Sequence, residues 1–293
     1  MKKKVTLGQI ILTLMVFMLA LCCLLPIFLV LVASFSSDYS LRTKGFSFFP
    51  LEWSTEGWEY VLSMGSQLFL SYRNTILITI VGTFGSLLIM SMFAYALSHR
   101  NFAFKKPFSI LLLGTMLFSG GQLSTYLINV SVYHLKDNML LLYLPTVSAM
   151  NVIIIRTYLQ SNIAEALMES AKIDGAGEFR IYTQIIMPLA KPALASVGFM
   201  TAIGYWNDWE KGYLYIKTQS KLPLQTLLYQ IEKQIEMLNN PEVGSVAIDM
   251  WQSIPELSAR MAMLITVLGP IMIAYPFFQK HFIQGLTVGS VKG

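Results

Sequence analysis

The chain has 293 residues, 55% hydrophobic by type and only 13% charged, with a net charge of +5 and a mean hydropathy of +0.57. Soluble domains carry about 25% charged residues, and half that fraction over so long a chain cannot coat a water-facing surface. A disordered protein, a nucleic-acid reader and a disulfide-stapled secreted scaffold are all poorly supported; the composition reads as an all-α, polytopic membrane protein.

Runs free of Asp, Glu, Lys and Arg set the expected crossings, because a spanning helix needs about 20 largely apolar residues. The first run, residues 5–37, follows Met1-Lys2-Lys3-Lys4. It is far longer than the roughly 7–15 residues of a signal-peptide core, so it reads as a retained span over 8–33. Cys22 and Cys23 are adjacent within it. Neighbouring Cα atoms lie about 3.8 Å apart, too close for ordinary disulfide geometry. An outer segment, about 34–73, then carries Phe46-Ser47-Phe48-Phe49-Pro50 and the aromatic stretch from Trp53 to Trp58-Glu59-Tyr60. Further spans are expected at 74–98, 108–130, 138–157, 190–209 and 260–280. The fifth is short, with Lys191 placed to snorkel at one end and Asp208 at the water boundary at the other.

With the N-terminus on the cytoplasmic side, that side carries twelve Lys/Arg against four Asp/Glu, and the outer side nine against twelve. This is the positive-inside bias, and it puts both termini in the cytoplasm. The interiors of all six expected spans lack Asp, Glu, Lys and Arg, residues that usually mark the paths of ion-coupled carriers. His99, His134 and His281 fall at span ends or beyond and do not cluster. No HExxH, CxxC or GxxxxGK[ST] sequence occurs. The sequence therefore offers no catalytic or metal-ligating residues, and any uphill transport must draw its energy from another chain.

The longest inner segment, 156–190, reads as helix, sharp turn, helix. Asn162 with Glu165 forms a capping-box variant. Ala164, Leu167, Met168 and Ala171 recur at helical spacing on one face, with Glu165, Glu169 and Lys172 on the others. Asp174-Gly175 breaks the helix, glycine tolerating the positive φ of a tight reversal. A second helical stretch carries Phe179, Tyr182, Ile185 and Ile186, and Pro188 and Pro192 lead into the fifth span. Periodicity alone leaves two uses open: docking into a partner's groove, or capping the helix bundle from below.

On the outer side, Leu224, Leu227, Leu228, Ile231, Ile235 and Leu238 predict an amphipathic helix starting after Pro223. It packs on the bundle, contacts a partner, or does both. Tyr205-Trp206-Asn207-Asp208-Trp209 closes the fifth span either as interfacial anchors or as part of a ligand path. Ser119, Gln122 and Tyr126 in the third span and Asn151 in the fourth are further candidates for a cavity wall, although polar side chains between spans are often only interhelical glue.

Residues of the inner segment resemble a family. Glu169-Ser170-Ala171, three residues, Gly175, nine residues, then Ile185-x-Met187-Pro188 is similar to the EAA loop of ABC importer permeases, with Ser170 and Met187 as departures. Ala171-Lys172-Ile173-Asp174-Gly175-Ala176 matches the sugar-importer version. The end, from Gly285 to Gly293, resembles the tail of the second membrane subunit of maltose-type importers, and the general flavour is that of permeases for complex or acidic oligosaccharides such as alginate. The resemblance implies a multi-pass permease of the bacterial plasma (inner) membrane. Residues 1–67 would form the first helix and outer segment, 68–284 a transmembrane domain with its coupling loop at 156–190, and 285–293 a cytoplasmic tail. It also implies a homologous second permease, two ATPase subunits that bind the ATP and Mg, an extracytoplasmic solute-binding protein and a carbohydrate substrate, with no cofactor in this chain and no nucleic acid. Glu165, Glu169, Ala171, Asp174, Gly175 and Gly177 would make the ATPase contact. The rival reading is an ion-coupled secondary transporter for a small polar solute.

Overall fold

The computed structural model describes residues 6–100, 102–238 and 256–287, and among them the secondary structure is helical, with a single isolated β-bridge. Two compact units result, one of residues 1–68 and 228–270, the other of 69–227 and 271–293.

In the first unit, α1 (Leu7–Ser34) is apolar on every side and has almost nothing packed on its N-terminal three-quarters. A helix hydrophobic all round belongs in lipid. The chain leaves α1 through Phe35 and Ser36, the latter bridged to Trp53, and enters α2 (Asp38–Lys44), whose first turn is capped by Ser37 accepting from the Ser40 N–H at 3.1 Å. In α3 (Glu56–Ser63), Trp58 stacks on Phe35 at 5.5 Å and its Nε1 donates to Ser34 Oγ. Asp38 Oδ1 accepts from the Leu257 N–H at 2.7 Å, supplying an acceptor at the start of the last helix (Glu256–Thr287, labelled α15 below). Such an anion is favourable at a helix N-terminus.

The second unit takes most of α4 (Gly65–Ser98), the helices after it as far as Leu227, and the later part of α15. The expected third span is two helices, α5 (Lys105–Leu117) and α6 (Gly121–Leu127), the latter prolonged by a wide turn to Val132; their axes are bent by 111°. The fourth is α7 (Leu140–Tyr143), a non-helical stretch 144–148, and α8 (Ala149–Asn162). α9 (Glu165–Ile173), α10 (Glu178–Ile181) and α11 (Met187–Leu189) follow, and a bend of 80° leads into α12 (Lys191–Trp206). α13 (Glu210–Tyr215) precedes α14 (Leu224–Leu238), which begins just after Pro223 as expected, with Leu224, Leu227, Ile231 and Ile235 buried. Among the described residues, α1, α4 and α15 are long and apolar enough to cross a membrane, and counting each of the two bent pairs as one span gives five. α8, at 14 residues, falls short of the roughly 20 a span needs. The absence of charge does not reveal such breaks. They sit at Gly121, with φ +78, and around Pro145.

The capping box expected at Asn162 is not formed. α8 continues through Asn162, whose Nδ2 turns back to Tyr158 O, and α9 starts after Ala164 with no side-chain cap. Residues 285–287 extend α15, and the tail from 288 lies outside the described residues, as do 239–255 of the outer loop.

Candidate functional site

The inner segment folds as an elbow on a hydrophobic support. Ile163, Met168, Ile181, Tyr182 and Ile186 join Met90, Ala94, Tyr95 and Leu97 of α4 and Val152, Ile155 and Leu159 of α8 in one buried cluster. Tyr182 and Ser91 share a hydroxyl hydrogen bond at 2.7 Å. Of the predicted apolar face of α9, only Met168 and Ala171 turn inward; Ala164 and Leu167 are exposed, because the supporting cluster meets the helix along a narrower line than the sequence stripe. Exposed beside Leu167 are Glu169 and Ile173, and Phe179 follows at the start of α10. Gly175 makes the turn at φ +79, its N–H donating to Lys172 O and that of Ala176 to Ala171 O. Gly177 then serves as the extended residue before α10.

Charged groups brace the elbow. Glu178 bonds Lys172 Nζ at 2.5 Å and Tyr95 OH at 2.7 Å, and Arg100 reaches Glu165 at 2.9 Å. The lysine hydrogen bond holds the Glu178 carboxyl below its ordinary value. His99 lies 3.6 Å from Glu178, edge-on to Tyr95, with Lys172 and Glu165 of α9 and Lys105 of α5 around it. Burial lowers the imidazole's pKa from 6.5, outweighing the opposing pull of Glu178. A lowered value means that neutral His99 stabilises the fold above pH 6.5, and that this contribution is lost as pH falls from there toward the folded-state value. Melting temperature should therefore drop between about pH 7.5 and 5.5, and drop less in His99→Gln. Equal acid sensitivity of the two proteins in a thermal scan would refute this assignment. Glu178 loses its own contribution only below 4.5 and does not confuse the test.

A second constellation surrounds the break at 144–148. The Tyr205 hydroxyl accepts from the Thr146 N–H at 2.9 Å, donates to Leu144 O at 2.8 Å and lies 3.0 Å from Ser86 Oγ. Side chains thus satisfy a backbone that has left the helix, the condition for irregular chain at membrane depth. Two cavities adjoin it. One, of about 450 Å³, is bordered by Ser119, Gln122, Asn129, Thr146, Glu210 and Lys211 among others. The other, of about 260 Å³, is bordered by Thr146, Asn151, Thr201, Tyr205, Asp208 and Lys211. Asp208 holds Lys211 at 2.9 Å, and Gln122 bonds Glu210.

Of the candidate path residues, Gln122, Asn151, Tyr205 and Asp208 border these cavities, as does Ser119. Tyr126 instead stacks on Tyr215, Trp206 is buried, Asn207 accepts from Gln225, and Trp209 borders neither cavity. Sequence reasoning misses Glu210, Lys211 and Thr146. The i,i+3 spacing of Asp208 and Lys211 is the available signal. It misses Asp137 as well: with φ +55 this residue accepts from the Lys217 and Thr218 N–H groups, the Thr218 hydroxyl and Lys221 Nζ, and these bonds, the hydroxyl's first, hold its carboxyl well below the usual range. These bonds tie the turn at Asp137 to residues 217–221. Among the described residues no group of three or more His, Cys, Asp or Glu is placed to hold a metal ion.

No family model matches the chain. It is 36% identical over 278 residues to the polygalacturonan/rhamnogalacturonan transport system permease protein YtcP of Bacillus subtilis (strain 168), covering 94% of this chain and 95% of that one. With the arabinooligosaccharides transport system permease protein AraQ of the same organism it shares 29% identity over 293 residues, 97% of this chain and 96% of that one. A chain from the crystal structure of a bacterial ABC transporter involved in the import of the acidic polysaccharide alginate matches it with a TM-score of 0.78 and 29% identity, over 96% of this chain and 99% of that one.

Proposed function

The chain belongs to the permease subunits of carbohydrate ABC importers, and from that premise we propose that it pairs with a second, homologous permease to form the membrane path for an acidic oligosaccharide. In this reading two ATPase subunits, which bind the ATP and Mg, sit on the cytoplasmic side, and an extracytoplasmic solute-binding protein delivers the sugar. The chain crosses the bacterial plasma membrane six times, with α8 as a short fourth crossing and both termini inside.

The observation that carries the reading is the elbow. α9 is anchored by Met168 and Ala171 while Leu167, Glu169 and Ile173 face outward. A short helix held by one face and apolar on the other is suited to a groove on another protein. Glu165, Glu169, Ala171, Asp174, Gly175 and Gly177 are the coupling residues: Glu169 bonds the ATPase, Ala171 permits close approach, and Gly175 turns the chain. ATP-driven closure of the ATPase pair moves the elbow, and the membrane helices alternate between inward- and outward-open states.

The acidic substrate is supported by Lys211, which borders both cavities, and by the polymers named in the relatives' descriptions. Asp208 holds the ammonium until a sugar carboxylate replaces it, and Gln122, Asn151 and Thr146 offer partners for hydroxyls. Lys211→Met should lower uptake of an oligogalacturonate by about tenfold, the scale of one charge-assisted hydrogen bond, while leaving uptake of any neutral oligosaccharide that the importer accepts within twofold. Copurification of the chain with an ATPase, followed by uptake of labelled sugars in reconstituted vesicles, tests the whole reading. Uptake driven by an ion gradient with no ATPase present would overturn it.

A further inference from the structure

The lobe between α2 and α3, residues 45–53, carries an apolar surface that the transport reading does not use. Phe46, Phe49, Leu51 and Trp53 are all exposed, Phe49 at 81%. The lobe is nonetheless well tied. Gly45 reverses the chain at φ +76, and Ser47 Oγ accepts the Phe49 N–H at 3.1 Å. Ser40 Oγ accepts that of Leu51 at 2.9 Å, and Glu52 O that of Ser37 at 3.1 Å. These bonds fold the lobe back along α1: the rings of Phe48 and Phe28 stack with centroids 6.0 Å apart. Phe28 lies six residues before the end of α1, about 9 Å down its axis at 1.5 Å per residue. Phe28 is itself exposed, as are Leu24 and Leu25 on the turn below, and α1 is the most apolar of the three helices long enough to cross a membrane.

We infer that the lobe 45–53 is immersed in the lipid leaflet at the C-terminal end of α1, with its aromatic rings at the boundary between acyl chains and headgroups. The apolar surface of the lobe is continuous, through Phe28 and Phe48, with the lipid-facing surface of α1. Aromatic rings concentrate at this depth in membranes, and a lysine stem reaches from it to the phosphates. Lys44 stands at that place, its Nζ 3.4 Å from Phe49 O. The inference depends on α1 crossing the bilayer and not on the identity of the transported solute.

The test places the photoreactive p-benzoylphenylalanine at position 49 of the full chain in its native membrane, with the rest of the importer present. The same residue at the exposed Glu56 of α3 is the control, and position 46 is the alternative if the first variant does not accumulate. After irradiation, mass spectrometry should find phospholipid adducts several-fold more abundant at 49 or 46 than at 56. Adducts to the second permease or any other protein would overturn the inference, as would a lipid yield at 49 and 46 no higher than at 56.

Discussion

Gly175→Pro is expected to leave the importer assembled in the membrane and to lower substrate-stimulated ATP hydrolysis by about tenfold or more. The turn residue has φ +79, and a Cβ built on it meets nothing within 4 Å. Space is therefore not the constraint; backbone conformation is. An L-residue with a Cβ is disfavoured in this left-handed region by roughly 1–2 kcal/mol, and asparagine carries the smallest penalty. Proline cannot reach the region, because its ring fixes φ near −65°. It also removes the N–H that donates to Lys172 O. The elbow must then be rebuilt, and a shift of 1.4 kcal/mol in the coupled step is about one decade in rate. The ordering Asn, Ala, Pro from mildest to most severe is the signature of backbone strain. ATPase stimulation measured in reconstituted complex, alongside recovery of the ATPase on affinity purification, gives both numbers. Wild-type stimulation in an assembled proline variant would remove the elbow from the coupling path.

The second large effect is expected at Tyr205. If this residue served by stacking its ring on sugar, Tyr205→Phe would be silent. The hydroxyl instead repairs the chain where it has left the helix, accepting from Thr146 N–H, donating to Leu144 O and meeting Ser86 Oγ. Removing it strips Leu144 O of that donor, at about 1 kcal/mol for a part-buried hydrogen bond. For a chain of this size that is a fall of about 2–4 °C in melting temperature. Gly82 supplies an independent check. A Cβ there would stand 2.5 Å from Tyr205 Cε1, so Gly82→Ala must push the ring away from Thr146. Both changes act on one ring, and the double variant should lose less than the sum of the two. Thermal denaturation of the solubilised complex measures all three; a phenylalanine variant melting with the wild type would return Tyr205 to the stacking role.

The features legible in the sequence follow from rules that act locally. The apolar runs locate α1, α4 and the last helix, because the cost of burying charge in lipid is large and leaves gaps in the charge pattern. The stripe after Pro223 marks α14, and the Asp174-Gly175 pair marks the turn, since one residue type serves each need. The broken third and fourth segments are not legible. In the fourth, the backbone at Leu144 and Thr146 is satisfied by Ser86 and Tyr205, which are distant in sequence, so no window of the chain contains both that break and its remedy. The same reasoning explains the cavities. Asn151 and Gln122 are visible as polar residues in apolar runs, but Lys211 and Glu210 lie past the end of α12 in a stretch that reads as ordinary outer loop. At Asn162 a local rule misleads, because the end of α8 has an equal claim on the same side chain.

The 80° corner at Ala190 has a mechanical consequence. Hydrogen bonding carries round it, from Ala190 N–H to Ile186 O at 2.8 Å and from Leu194 N–H to Ala190 O at 2.9 Å, so backbone pairing is continuous through the corner. Under the proposed coupling, an angle held in this way would work as a bell-crank. Thrust received along one arm becomes travel nearly perpendicular to it on the other, and the stroke scales with the ratio of arm lengths.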